Sequence, residues 1–229
     1  MAAVVTEPST TSPANDSGAS RAPTMADPMP IAFALFAFSL GVFFVRFVSV
    51  GPASIASGST TEALNYALIV GGAAEVLAGV LGIIRGIGYP AYVTTTFGLW
   101  LVGLFLLVTS GAANKAFTPD ALGWYALVLI VPVAILAVPA FVHHNVLFAI
   151  AFIALIVVLL FFGLGYHLLY NDIVTATVHK LPPNVNTAVD FVKVSAWAAL
   201  VAAASIWGVF AIEVYRNTGV LRAGTSKNA

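Results

Sequence analysis

Glu75 stands in the apolar stretch Leu64–Ile84, where no other residue is charged. At the centre of a membrane span an ionised side chain costs about 3 kcal/mol on insertion scales. An acid kept at such a position points to proton transfer or to contact with a polar solute. Gly71, Glu75, Gly79 and Gly82 follow one another at spacings of four, four and three, so they share one helix face. Small residues let a neighbouring helix approach closely, so this face is expected to look into the protein. The alternative is structural: a protonated or hydrogen-bonded Glu75 that ties two helices together.

Hydroxyls form the next candidate group. Thr94, Thr95 and Thr96, with Tyr92, make the most polar patch of their stretch, and Trp100 follows one turn later. They could line a polar path, or the threonines could bond back to carbonyls of their own helix. Arg46 lies about one turn from the end of the first apolar stretch, where its long stem can snorkel to the interface; recruitment of an anion is the other reading. Glu213 and Arg216, three apart, suit an ion pair at a helix end. Trp100, Trp197 and Trp207 could shape a pore or act as packing and interface anchors. Ala198, Ala199, Ala202, Ala203, Gly208 and Ala211 give the last stretch a small-residue face suited to close helix or subunit contact.

The four histidines, His143, His144, His167 and His179, do not make a metal site. The adjacent pair cannot put both imidazoles on one helical face, and four are too few for the multi-histidine di-iron sites of membrane oxygenases. No nucleophile motif, phosphate-cradling glycine loop or HExxH is present. The sequence therefore argues against an enzyme, and no metal or cofactor is expected.

The elements that must hold these residues are set by composition. Hydrophobic residues make up 60% and charged residues 8% of the chain, with mean hydropathy +1.00. A soluble domain carries about a quarter charged residues, so the surface must face a lipid bilayer. Six stretches reach the roughly 20 apolar residues that a membrane helix needs: Ile31–Val50, Leu64–Ile84, Tyr92–Thr109, Leu122–Phe141, Val146–Leu169 and Val192–Tyr215. Turn chemistry separates them at Gly51-Pro52, Gly86 to Pro90, Thr118-Pro119-Asp120 and Leu181-Pro182-Pro183-Asn184. Only Val142 to Asn145 parts the fourth from the fifth, which predicts a tight antiparallel hairpin. The expected fold is all-α: a six-helix transmembrane domain over 31–215. Residues 1–30 form a polar tail too poor in apolar surface to order itself, and 216–229 form a short polar tail. The first tail lacks the basic start and apolar core of a secretory signal. An even number of spans puts both termini on one side. With that side cytoplasmic, Arg21, Arg85, Arg216, Arg222 and Lys227 lie inside, against Arg46, Lys115, Lys180 and Lys193 outside. Zero formal net charge without basic clusters argues against nucleic-acid binding, and there is no cysteine for thiol or disulfide chemistry.

From about Asp27 to Gly224 the chain resembles the acetate uptake transporter family of bacterial succinate–acetate permeases and fungal ammonia/acetate proteins. That family opens its first helix with Asn-Pro-Ala-Pro-x-Gly-Leu; here Asp27, Pro28 and Pro30 stand in that motif, with Asp in place of Asn. Gly71-Gly72-Ala73-Ala74-Glu75 followed by Ala78-Gly79 is similar to Gly-Gly-x-x-Gln and Ala-Gly, with Glu75 at the Gln position. Thr95-Thr96-Phe97-Gly98-Leu99-Trp100 resembles Thr-Ser-Tyr-Gly-x-Phe-Trp, with Phe97 at the Tyr. The resemblance implies a homo-oligomer, a hexamer, with a pore through each protomer. It puts the pore constriction at Phe36, Phe97 and Leu155; Glu75 with Thr94, Thr95, Thr96 and Trp100 are the candidates for a substrate path or proton site on the reading of the residues given above.

It also implies acetate or a similar small carboxylate as substrate, in the cell membrane. An apolar constriction suits a weak acid. A bare carboxylate loses up to tens of kcal/mol of solvation there, whereas protonating an acid of pKa about 4.3 at pH 7 costs roughly 4 kcal/mol. The expected species is therefore the neutral acid, or the anion with a proton. Two other functions fit the same residues: a channel for a neutral polar solute such as urea, an amide or ammonia, and a membrane sensor or assembly partner that conducts nothing.

Overall fold

The computed structural model describes residues 27–49, 62–111, 113–114, 118–180, 182 and 184–218. Most of the expected N-terminal tail, Gly51-Pro52, Lys115, Pro183 and the C-terminal tail beyond Thr218 lie outside the described residues. Among the described residues six α-helices follow in order: α1 (Met29–Val48), α2 (Glu62–Ile84), α3 (Gly88–Leu106), α4 (Pro119–Val142), α5 (Val146–His179) and α6 (Asn186–Asn217). A π-helical segment, Leu107–Gly111, extends α3. All six are long and apolar enough to cross a membrane.

Each start has a local cause. Asp27 Oδ1 accepts the Met29 N–H at 3.0 Å, and Pro30 in the first turn forfeits only an N–H that a helix start leaves unpaired. Thr118 caps α4 by accepting the Ala121 N–H at 3.1 Å, and Asn145 caps α5 by accepting the Phe148 N–H at 3.3 Å. Between α2 and α3 the chain reverses at Gly86, whose φ of +73° lies in the left-handed region. The Ile87 N–H donates to Gly82 O at 2.8 Å and closes that turn.

Two helices are longer than expected. The apolar run of α5 ends at Leu169, yet the helix continues through the polar residues to His179 and stops only at Lys180, with φ 55°. Lipid sets where a span ends, but a helix ends where a breaker or cap ends it, and no Pro or Gly intervenes between Gly165 and Pro182. At 1.5 Å per residue its 34 residues reach about 51 Å, well past a hydrocarbon core of about 30 Å. α6 likewise starts at Asn186, six residues before the expected Val192.

Neighbours in the bundle run α3–α2–α1–α6–α5–α4, and α4 and α5 form the expected hairpin. Glycines set the closest approaches. A Cβ on Gly98 would lie 2.7 Å from Val76 N and 2.9 Å from Glu75 Cβ, so α3 packs backbone-to-backbone on α2. A Cβ on Gly123 would stand 2.8 Å from Gly163 O, which does the same for α4 on α5. Ala199, Ala202 and Ala203 are buried between α6 and its neighbours. Trp197 and Trp207 are exposed on the outer surface of the bundle, and the Trp207 indole donates to Ala34 O at 3.2 Å.

Candidate functional site

The helix ends on the N-terminal side of the bundle surround a vestibule of about 330 Å³. Its walls come from Asp27, Met29, Pro30 and Phe33 of the α1 end, Tyr89, Pro90 and Val93 of α3, Pro139 and His143 of the α4 end, Asn145 and Phe148 of the α5 end, and Val209 and Glu213 of α6. Phe33, Val93 and Phe148 are also walls of a second, deeper cavity of about 20 Å³. That volume holds about one water molecule.

The deeper cavity is lined by Phe36, Glu75, Phe97, Ala151, Phe152, Leu155 and Ile206 as well. Phe36, Phe97 and Leu155, contributed by α1, α3 and α5, therefore face one space, and Glu75 of α2 faces it with them. The rings of Phe36 and Phe97 are 5.1 Å apart between centroids, and Phe97 and Phe152 are 6.3 Å apart. Glu75 is buried, and its Oε2 has no hydrogen-bond partner. A carboxyl oxygen in that condition is available to a solute or a water entering the cavity. The glycine face expected around Glu75 is wedged between two helices: Gly71 meets Ser39 of α1, and Gly79 meets Thr94 and Thr95 of α3.

The other expected residues stand elsewhere. The Thr94 hydroxyl donates to Pro90 O at 3.1 Å and Ala91 O at 3.2 Å, and the Thr95 hydroxyl to Ala91 O at 2.7 Å, so both turn back on α3. Thr96 and Trp100 line a groove between α3 and α4, where Trp100 stacks on Tyr125 with 6.3 Å between centroids and 10° between planes. The Tyr125 hydroxyl donates to Trp100 O at 2.9 Å. Asp27 and Pro30 border the vestibule, and Pro28 precedes α1 as its cap residue. Glu213 pairs with Arg216 at 3.1 Å, as expected from their spacing.

Beyond the small cavity the interior is filled. Phe36, Leu40, Phe43 and Phe47 descend α1 at intervals of four, three and four, and Leu155, Leu159, Phe162 and Tyr166 descend α5 at the same intervals. Phe162 meets Phe43, Phe44 and Phe47 at 6.3, 5.2 and 5.8 Å between centroids, and Tyr166 at 4.7 Å. Arg46 ends this plug. Its guanidinium does not snorkel away: it lies 4.1 Å over the Phe43 ring and donates from Nη1 to Asn65 Oδ1 at 2.9 Å. The aromatic plug was not evident from hydropathy, although the matched four-three-four stripes were there to be read.

Asp120 and His167 make a second feature that sequence reading missed, a contact of 2.6 Å between α4 and α5. Their separation of 47 positions hides it, and only the close Gly123–Gly163 packing brings the helices near enough. Among the described residues no three His, Asp or Glu side chains gather as a metal site.

The sequence profile of the GPR1/FUN34/yaaH family matches residues 11–214. The chain belongs to that family. No curated protein compared with it matches. A solved structure of the bacterial acetate channel SatP is similar in fold, with a TM-score of 0.66 and 16% sequence identity. The likeness covers 85% of this chain and 95% of that one. This GPR1/FUN34/yaaH member thus has an all-helical membrane fold similar to that channel's, and Glu75 lies in its inner cavity.

Proposed function

We propose that this chain is a membrane channel or transporter for acetate or a similar small monocarboxylate, moved as the neutral acid or together with a proton. The observation that carries the reading is the cavity between Phe36, Phe97 and Leu155, of about 20 Å³ and apolar except for Glu75, at the foot of a vestibule of about 330 Å³. Family membership and the likeness to the acetate channel SatP support it. An apolar ring of this kind rejects a bare anion, at a cost of up to tens of kcal/mol. It admits a neutral acid that costs roughly 4 kcal/mol to form at pH 7. Phe36, Phe97 and Leu155 are then the gate, and Glu75, with an oxygen free to exchange a proton, is the proton site. The same reading makes the chain one protomer of a homo-hexamer with a pore in each protomer, in the cell membrane, with both termini cytoplasmic.

A second reading, a channel for a neutral polar solute such as urea, an amide or ammonia, is favoured by the vestibule walls: Asp27 and Glu213 are carboxylates, and among the described residues no lysine or arginine lines them. Uptake of labelled acetate, urea and methylammonium into liposomes holding the purified protein separates the two. Saturable acetate uptake that unlabelled propionate inhibits supports the first. Urea or methylammonium uptake that acetate does not inhibit, with no acetate uptake above empty liposomes, replaces it with the second.

A further inference from the structure

We propose that Arg46 is a carboxylate-binding site at the mouth opposite the vestibule, where a small monocarboxylate is captured before it meets the aromatic plug. This rests on the reading of the chain as a monocarboxylate conductor. Three observations carry it. The guanidinium has no carboxylate partner: among the described residues the ion pairs are His167–Asp120 and Arg216–Glu213. Among the described residues its one hydrogen bond, from Nη1, goes to the amide oxygen of Asn65, a buried and uncharged acceptor that orients the group without neutralising it. Its Nε is buried with no partner at all.

The consequence is a cation held ready with one edge uncommitted. Nη1 is taken by Asn65, so Nε and Nη2 remain, a pair of parallel donors that matches the two oxygens of a carboxylate. The rings of Phe43 and Phe47, 4.1 and 4.6 Å from the guanidinium carbon, fix its plane. Arg46 lies two residues from the end of α1, at the end of the plug away from the vestibule. A lysine there would supply the charge but not the fork. Capture at this mouth concentrates the anion, and protonation then releases it from the guanidinium into the apolar file as the neutral acid.

The test uses the full chain in two assays. Saturation-transfer NMR reads acetate binding to the detergent-solubilised protein, independently of transport. Acetate uptake into phosphatidylcholine liposomes, which hold no anionic lipid to compete, reads the half-saturating concentration. Arg46→Gln is expected to weaken binding and raise that concentration at least fivefold, more than it lowers the maximal rate, with Arg46→Lys intermediate. Asn65→Asp supplies an internal carboxylate to the same guanidinium and is expected to weaken acetate binding as well. It decides the matter if Arg46→Gln does not fold. Unchanged acetate binding in both Arg46→Gln and Asn65→Asp overturns the site. Wild-type protein that binds acetate through Arg46 yet passes none leaves the site standing and removes the conducting function.

Discussion

The two halves of the interior differ in kind. On the N-terminal side the ends of five helices leave a cavity of about 330 Å³ edged by Asp27, Glu213, His143 and Asn145. On the other side α1 and α5 press Phe43, Phe44, Phe47 and Phe162 together with almost no exposure, and a single cation, Arg46, ends the stack. The open half is made by polar chain ends that cannot pack tightly. The closed half is made by two matched stripes of large side chains. Passage of a solute therefore asks little of the vestibule and asks the rings of α1 and α5 to move. Edge-to-face contacts of about 0.5–1.5 kcal/mol each hold those rings.

The sharpest way to break this contrast is at the small cavity where the halves meet. Phe36→Trp adds ring volume to a space of about 20 Å³ and is expected to lower acetate uptake at least tenfold in liposomes while the protein still purifies as a folded species. An unchanged uptake would remove Phe36 from the gate. Next in size is the plug itself. Phe162→Ala leaves a void among buried rings, so thermal unfolding in detergent is expected to show a loss of about 3–5 kcal/mol, while uptake rises several-fold. A fall in uptake would mean that the rings guide the solute and do not block it. Glu75→Gln keeps the shape and removes the titrating group; on top of the slope that the acid itself sets, uptake is expected to change by about two- to fivefold, most at the extremes of pH. An identical pH profile would end the proton role of Glu75. Smallest is Trp100→Phe. Trp100 stacks on Tyr125 outside the cavity, so uptake is expected to stay within about twofold, with a stability loss of about 1 kcal/mol read by unfolding.

How much of this was legible in the sequence follows from the same contrast. The six spans were, because lipid forces a continuous apolar run on each. Their ends were not, because α5 stops at Lys180 for want of a breaker and not where Leu169 ends the apolar stretch. The face of Glu75 could be read from its glycines, since spacing along one helix fixes which residues share a face. Phe36, Phe97 and Leu155 came through family resemblance, because three helices must meet before those rings share a cavity. Thr94 and Thr95 were open between lining a path and bonding back on α3, and helical spacing alone could not choose. The pairs Asp120–His167 and Arg46–Asn65 were out of reach, since each needs a helix neighbour that local pattern does not specify.

The central claim is that the ring of Phe36, Phe97 and Leu155 passes a small carboxylic acid in neutral form. The most direct test is initial acetate uptake at fixed total acetate and stepped external pH, in liposomes with wild-type protein, with Phe36→Trp and with no protein. The account predicts a saturable, protein-dependent component that falls about tenfold per pH unit above the acid's own pKa and nearly vanishes in Phe36→Trp. A protein-dependent component that is flat across pH, or that Phe36→Trp leaves intact, would contradict it.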